Sequence, residues 1–138
     1  MVVDDDPAFL RFISDVIDGS CDLFLFEDGM DLIDHCHRIK PDVLLLDVVL
    51  PEISGLAICR QIRSDHRFSG LFIALVSARA MLGDIKRGIQ SGANAYLTKP
   101  FHHERLLLML ERCRQIVSSA QQHELLFLAN NQLQVRTW

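Results

Sequence analysis

Short apolar runs alternate with stretches of helical periodicity along a chain of 138 residues. Val2 and Val3 read as the stub of a strand. Phe9, Phe12, Ile13, Val16 and Ile17 then recur at the spacing of one helix face. That helix starts beside Pro7, a favoured first-turn residue, and stops at Gly19. Residues 23–26 form a second apolar run, and Leu32, Ile33, Cys36 and Ile39 mark a second helix ended by Pro41. Residues 43–46 are continuously apolar, as a strand buried on both faces requires. Leu56, Cys59 and Ile62 mark a third helix, residues 71–76 a fourth strand, and Ile85 and Ile89 a short fourth helix ending near Gly92. Residues 95–98 give a fifth strand, and Leu106, Met109, Leu110, Cys113 and Val117 one face of a fifth helix. Repetition of strand then helix predicts an α/β fold, a doubly wound five-stranded parallel sheet with helices on both faces.

Beyond Val117 the pattern changes. Residues 118–122 are a polar break, residues 125–129 are apolar again, and after Asn130 and Asn131 polar and apolar residues alternate. The fifth helix running on to about Ala129 is one reading, since no Gly or Pro follows Pro100. A hairpin turning at Asn130 and Asn131 is the other. Continuity favours the helix. The expected organisation is one domain over residues 1–117 and a tail, linker or start of an output region over residues 118–138.

Composition narrows the function. Lys plus Arg number 14 against 18 Asp plus Glu, a net charge of −4, which argues against a free-standing nucleic-acid binder. An apolar content of 49% excludes bulk disorder. The longest apolar run, residues 71–76, falls far short of the roughly 20 residues of a membrane span. No basic segment followed by an apolar stretch opens the chain, so no signal peptide is expected and the protein reads as cytoplasmic. Cys21, Cys36, Cys59 and Cys113 form no CxxC and lie in apolar contexts, the pattern of reduced core thiols. The pairs His35/His37 and His102/His103 lack nearby ligands at metal spacing and read as solvated helix faces.

Sites in open parallel sheets form at the carboxyl ends of strands. The first strand is followed by Asp4, Asp5 and Asp6, the third by Asp47, the fourth by Ser77 and the small Ala78, the fifth by Lys99 and Pro100. One sheet edge thus gathers carboxylates, a hydroxyl and an ammonium. Crowded carboxylates repel unless a cation intervenes. Hard oxygen ligands suit Mg²⁺, which keeps waters for a phosphate to replace. Lys99 matches a phosphoryl oxygen, Ser77 can donate to another, and a carboxylate is a known phosphoryl acceptor. In-line phosphoryl transfer needs mainly positioning and charge neutralisation, which this set supplies. One aspartate after the first strand is explained as a helix cap, but three are not.

Four stretches carry a family resemblance: residues 3–7, residues 41–47 with Pro51 and Gly55 downstream, residues 74–78, and residues 92–101. Together and in this order the chain resembles the receiver domain of bacterial two-component response regulators, chemotaxis regulators among them, over about residues 1–117. The resemblance implies the flavodoxin-like strand order 2-1-3-4-5. It implies that Asp47 accepts the phosphoryl group, and that Asp5, Asp47 and the backbone carbonyl of Val49 bind Mg²⁺ directly, Asp4 acting largely through water. It makes Ser77 and Tyr96 a coupled switch, Lys99 the partner of the phosphate, Lys99–Pro100 a candidate cis bond, and Ala78 the small residue that gives the phosphoryl group access. Val49 and Arg79 take loop positions tied to phosphoryl lifetime. The implied donor is a histidine kinase or a histidine phosphotransfer protein. The face of the fourth helix, fifth strand and fifth helix would change partner affinity, and that face or the tail would serve a homodimer. In this family several residues usually precede the valines, so the first strand is expected to be short. No basic helix follows Val117, so direct nucleic-acid or membrane contact by this chain is not expected.

Three other functions compete. A phosphorylation-independent interaction module of the same fold would lack the Asp, Ser or Lys, and all are present. A haloacid-dehalogenase-type phosphatase needs a second aspartate where this chain has Val49. A flavin-binding module needs a hydroxyl or Gly-rich phosphate loop where Asp4, Asp5 and Asp6 would repel the phosphate.

Overall fold

The computed structural model describes residues 1–119, 124–129 and 132–137, with side chains described as far as residue 115. Its elements are β1 (Val2–Val3), α1 (Pro7–Ile17), β2 (Leu25–Phe26), α2 (Leu32–Ile39), β3 (Val43–Asp47), α3 (Gly55–Arg63), β4 (Phe72–Ser77), α4 (Leu82–Gln90), β5 (Ala95–Thr98), α5 (His103–Ser119), β6 (Glu124–Ala129) and β7 (Gln132–Thr137). A 3-10 turn at His66–Phe68 joins α3 to β4. β2, β1, β3, β4 and β5 lie side by side in that order, all parallel.

The alternation of side chains along each strand builds two cores. Leu44 and Leu46 face one way and pack with Ile58, Ile62, Ile73 and Leu75. Leu45 faces the other way with Ile13, Ala74, Leu97, Leu106 and Met109. β3 and β4 are therefore covered on both sides, which is why their sequences read as unbroken apolar runs. Local signals start the helices. Asp6 accepts from the Ala8 amide at 2.9 Å with Pro7 at the first position of α1, and Ser54 caps α3 through the Ala57 amide at 3.2 Å.

β1 is short, as expected, yet central. Val2 pairs with Leu25 on one side and Leu45 on the other, and Val2 and Val3 are buried. β2 is shorter than the apolar run of residues 23–26, with only Leu25 and Phe26 in the ladder. Arg63, the last residue of α3, ties that helix to the segments leading into β4 and β5. Its guanidinium donates to the carbonyls of Gly92 (2.7 Å), Phe68 (3.1 Å) and Leu71 (2.8 Å) and to Asn94 Oδ1 (2.5 Å). The same Asn94 oxygen accepts from the Ile73 amide at 2.8 Å, so the start of β4 and the loop before β5 share one clasp.

The segment expected to continue the fifth helix is a strand instead. β6 pairs parallel with β5, Ala95 opposite Leu126, and β7 pairs antiparallel with β6. An apolar run of five residues carries no periodicity that separates helix from strand, and the open edge of β5 offers ladder partners that sequence continuity cannot reveal. The expected turn at Asn130 and Asn131 lies outside the described residues. Cys36, Cys59 and Cys113 are buried, but Cys21 is exposed in the loop after α1, so only three of the four are core thiols. Among the described residues no helix is long and apolar enough to cross a membrane.

Candidate functional site

The β3 register sets Asp47 opposite Val76, the last residue before Ser77, and the Val48 amide donates to the Val76 carbonyl at 3.0 Å. β1 ends one residue before Asp4, and β5 ends one residue before Lys99. The carboxyl ends of β1, β3 and β5 thus converge. Asp4, Asp5 and Asp47 each offer an oxygen within 4.8 Å of the others. Asp4 and Asp47 are buried, whereas Asp5 is exposed. Lys99 Nζ reaches Asp4 Oδ2 at 2.5 Å and Asp47 Oδ2 at 3.3 Å.

The three leading aspartates have separated roles. Asp6 caps α1, and its own amide is taken up by Asp4 Oδ1 at 2.9 Å. Asp4 is therefore held from two sides, by Lys99 and by the chain after it, while Asp5 stays open to solvent. Asp47 is restrained by the Val49 amide, which donates to its Oδ1 at 2.9 Å. Burial pushes the Asp47 carboxyl above the ordinary aspartate value and the Asp4 charge adds to this, against the Val49 amide and the Lys99 ammonium. The result is a carboxylate group short of positive charge. Three hard oxygen donors, one of them solvent-facing, fit Mg²⁺, which prefers carboxylates with retained waters.

Ser77 ends β4 and is buried. It does not cap α4, whose N-cap is Met81. Its Oγ accepts from the Arg79 amide at 3.1 Å, and its carbonyl accepts from the Lys99 amide at 2.8 Å. Ala78, Arg79 and Val49 are exposed on the loops around Asp47. Arg79 enters the local network through its main chain, because its carbonyl accepts from the Tyr96 hydroxyl at 2.8 Å. Tyr96 is 1% exposed, turned inward. Burial raises its phenol above the usual value, opposed by a hydrogen bond with Ser77. Lys99–Pro100 is cis.

Two residues with no chemical group of their own complete the site. The Phe9 ring lies beneath the Lys99 ammonium, 4.1 Å from Nζ to the ring centroid, within cation–π range. Periodicity marked Phe9 only as a core position of α1. Gly55 faces the Asp47 backbone so closely that a Cβ there would overlap the Asp47 carbonyl oxygen.

The profile of the response regulator receiver domain matches residues 1–111. The chain belongs to that family. Among curated relatives, this receiver is 34% identical over 108 residues to the DNA-binding response regulator MtrA of Mycolicibacterium smegmatis, covering 78% of the chain and 46% of that protein. It is 30% identical over 135 residues to the DNA-binding dual master transcriptional regulator RpaA of Synechocystis, covering 91% of the chain and 54% of the relative. Among solved structures, DrrB, an OmpR/PhoB homologue of Thermotoga maritima, superposes with a TM-score of 0.70 at 27% identity, over 89% of this chain and 54% of that one. The receiver spans about half the length of the curated relatives it matches. The strand order 2-1-3-4-5 agrees with the order expected of the family.

Proposed function

We propose that this receiver accepts a phosphoryl group on Asp47 from a phosphohistidine donor, a histidine kinase or a histidine phosphotransfer protein. The observation that supports it most is the position of Asp47, 3.3 Å from the Lys99 ammonium and clustered with Asp4 and Asp5. In the reaction an Asp47 carboxylate oxygen attacks phosphorus. The new P–O bond forms as the P–N bond to the donor imidazole breaks, and the imidazole leaves with the electron pair. Asp5, Asp47 and the Val49 main chain would hold Mg²⁺, with Asp4 nearby, and the ion would supply charge neutralisation for the phosphoryl oxygens. Lys99 moves its ammonium toward the phosphoryl oxygens, and the Ser77 hydroxyl donates to another. Ala78, with its single methyl, leaves the group room to enter. Apolar Val49 and the Arg79 loop position govern how readily water reaches the acyl phosphate.

Tyr96 links this chemistry to output. Its hydroxyl is tied to Arg79 and Ser77, so a shift of Ser77 toward the phosphoryl group is transmitted to the face formed by α4, β5 and α5. Exposed Leu107 and Leu108 on α5 suit that face to partner binding, a second copy of the chain included. DNA binding belongs by name to the longer relatives, and for the whole protein it is part of this proposal. The cytoplasm is the proposed setting, consistent with four free cysteines.

Acetyl phosphate with Mg²⁺, read by intact mass, tests the proposal. The expected result is one added phosphoryl group, absent with a chelator and absent in Asp47→Asn. No addition to folded wild-type protein would favour an interaction module that works without phosphorylation.

A further inference from the structure

Gly88 stands within α4, where glycine is a poor helix former and no turn calls for it. Its surroundings give a reason. Gly88 is buried, and a Cβ built there would lie 2.6 Å from Tyr96 Cδ2, 2.9 Å from Tyr96 Cε2 and 3.1 Å from Leu75 Cδ1. The first two contacts are with an aromatic ring whose far end is fixed by the hydrogen bond to the Arg79 carbonyl at 2.8 Å. A ring so held cannot yield the way the end of a flexible side chain can. Gly83, also on α4, meets only Arg87 Nη1 at 3.8 Å, an ordinary contact. The steric demand is therefore local to Gly88 and not a property of the helix.

We infer that Gly88 is a positioning residue for the switch. By omitting a Cβ, it opens the space under α4 in which the Tyr96 ring lies inward, and so sets how much of the receiver rests in that state. The inference rests on the proposed role of Tyr96. A ring displaced outward loses its bond to Arg79 and its contact with Ser77, and the loop that meets the phosphoryl group loses an anchor. A ligand that needs the inward arrangement is then bound less tightly by the fraction of molecules no longer in it.

The chain holds one tyrosine, so 3-fluorotyrosine incorporated biosynthetically gives one fluorine resonance for Tyr96. Its shift between H₂O and D₂O measures ring exposure in the metal-free protein. Wild type and Gly83→Ala are expected to show a buried ring, and Gly88→Ala an exposed one. A buried ring in folded Gly88→Ala would overturn the inference. Beryllofluoride with Mg²⁺, a phosphoryl mimic, supplies the second readout. Gly88→Ala should weaken its binding roughly fivefold, a typical coupling for residues in contact, and should have no effect in a Tyr96→Ala background. An equal loss in both backgrounds would overturn the inference. If Gly88→Ala does not fold, Tyr96→Ala in the same chain should restore folding, and failure to do so would count against it. Wild type that binds no beryllofluoride would sink the phosphoacceptor reading instead, while the fluorine comparison still decides the role of Gly88.

Discussion

Lys99 donates to Asp4 at 2.5 Å across 95 residues of sequence. Asp4 is 1% exposed and the Lys99 side chain 20% exposed, so the pair is largely withdrawn from water and joins the ends of β1 and β5. The same ammonium is 0.8 Å farther from Asp47, the difference between 3.3 and 2.5 Å. In the unphosphorylated receiver Lys99 thus chiefly neutralises Asp4. A phosphoryl group on Asp47 would compete for it.

Removing that ammonium while keeping the stem leaves buried Asp4 and Asp47 without a counter-charge. Lys99→Met should cost about 2–3 kcal/mol of stability in metal-free buffer, the scale of breaking a buried pair with some solvent access. Excess Mg²⁺ should return most of it, because the ion replaces the lost positive charge. Urea unfolding with and without MgCl₂ measures both quantities.

Asp47 has the opposite sign. Its folded-state pKa is raised, first by burial, so the folded chain holds this proton more tightly than the unfolded chain does. Its contribution to stability is therefore fully present below the ordinary aspartate range and is lost as pH rises through the raised value. At neutral pH the ionised carboxylate costs stability. Asp47→Asn should accordingly stabilise the metal-free receiver by on the order of 1 kcal/mol at pH 7 and remove that part of the pH slope. It should also show no rise in Tm with Mg²⁺, where the wild type should show one. Thermal melts across pH, with chelator and with Mg²⁺, check all three outcomes.

Gly55 supports Asp47 from behind. Its amide donates to the Val48 carbonyl at 2.9 Å, and a Cβ would overlap the Asp47 carbonyl oxygen, backbone that cannot move without shifting β3. Gly55→Ala should destabilise the receiver by about 2–3 kcal/mol, the cost of overpacking against main chain. Mg²⁺ affinity should fall with it. Calorimetric titration of the folded variant reads the second effect separately from the first.

Much of this was legible in the sequence. Strands 95–98 and 43–46, the helix limits at Pro7, Pro41 and Gly92, and the placing of Asp47, Ser77 and Lys99 at strand ends follow from periodicity and turn residues. Those signals are local, and the two-sided burial of β3 and β4 amplifies them. Contacts that arise only on folding were not legible. Nothing in the sequence links Arg63 to Asn94, Phe9 to Lys99 or Gly88 to Tyr96. The tail was legible in part: the preference for a continued helix failed, while the antiparallel pairing of β6 with β7 is the strand pairing that the hairpin alternative offered, and the docking of β6 on β5 arises only on folding. Cys21 failed because its immediate neighbours, Gly19, Ser20 and Asp22, belong to the polar turn by which the chain leaves α1, and the apolar residues lie farther off on either side.

The thiols give a check on the cores. Burial pushes Cys36 up to about 11 and Cys113 up to about 12, and raises Cys59 as well. Cys21 is exposed. At pH 8 a maleimide should label native protein once, at Cys21, and reach the other three only on unfolding. Rapid labelling at Cys36 or Cys113 in the native state would contradict the packing described for the two faces.

The claim that Asp47 itself carries the phosphoryl group is tested most directly by trapping it. Borohydride reduces an aspartyl phosphate to homoserine, and peptide mass mapping then locates the converted residue. The receiver treated with acetyl phosphate and Mg²⁺ should show homoserine at position 47 alone, and none when Mg²⁺ is chelated. Conversion at Asp4 or Asp5, or equal conversion without the metal, would contradict the account.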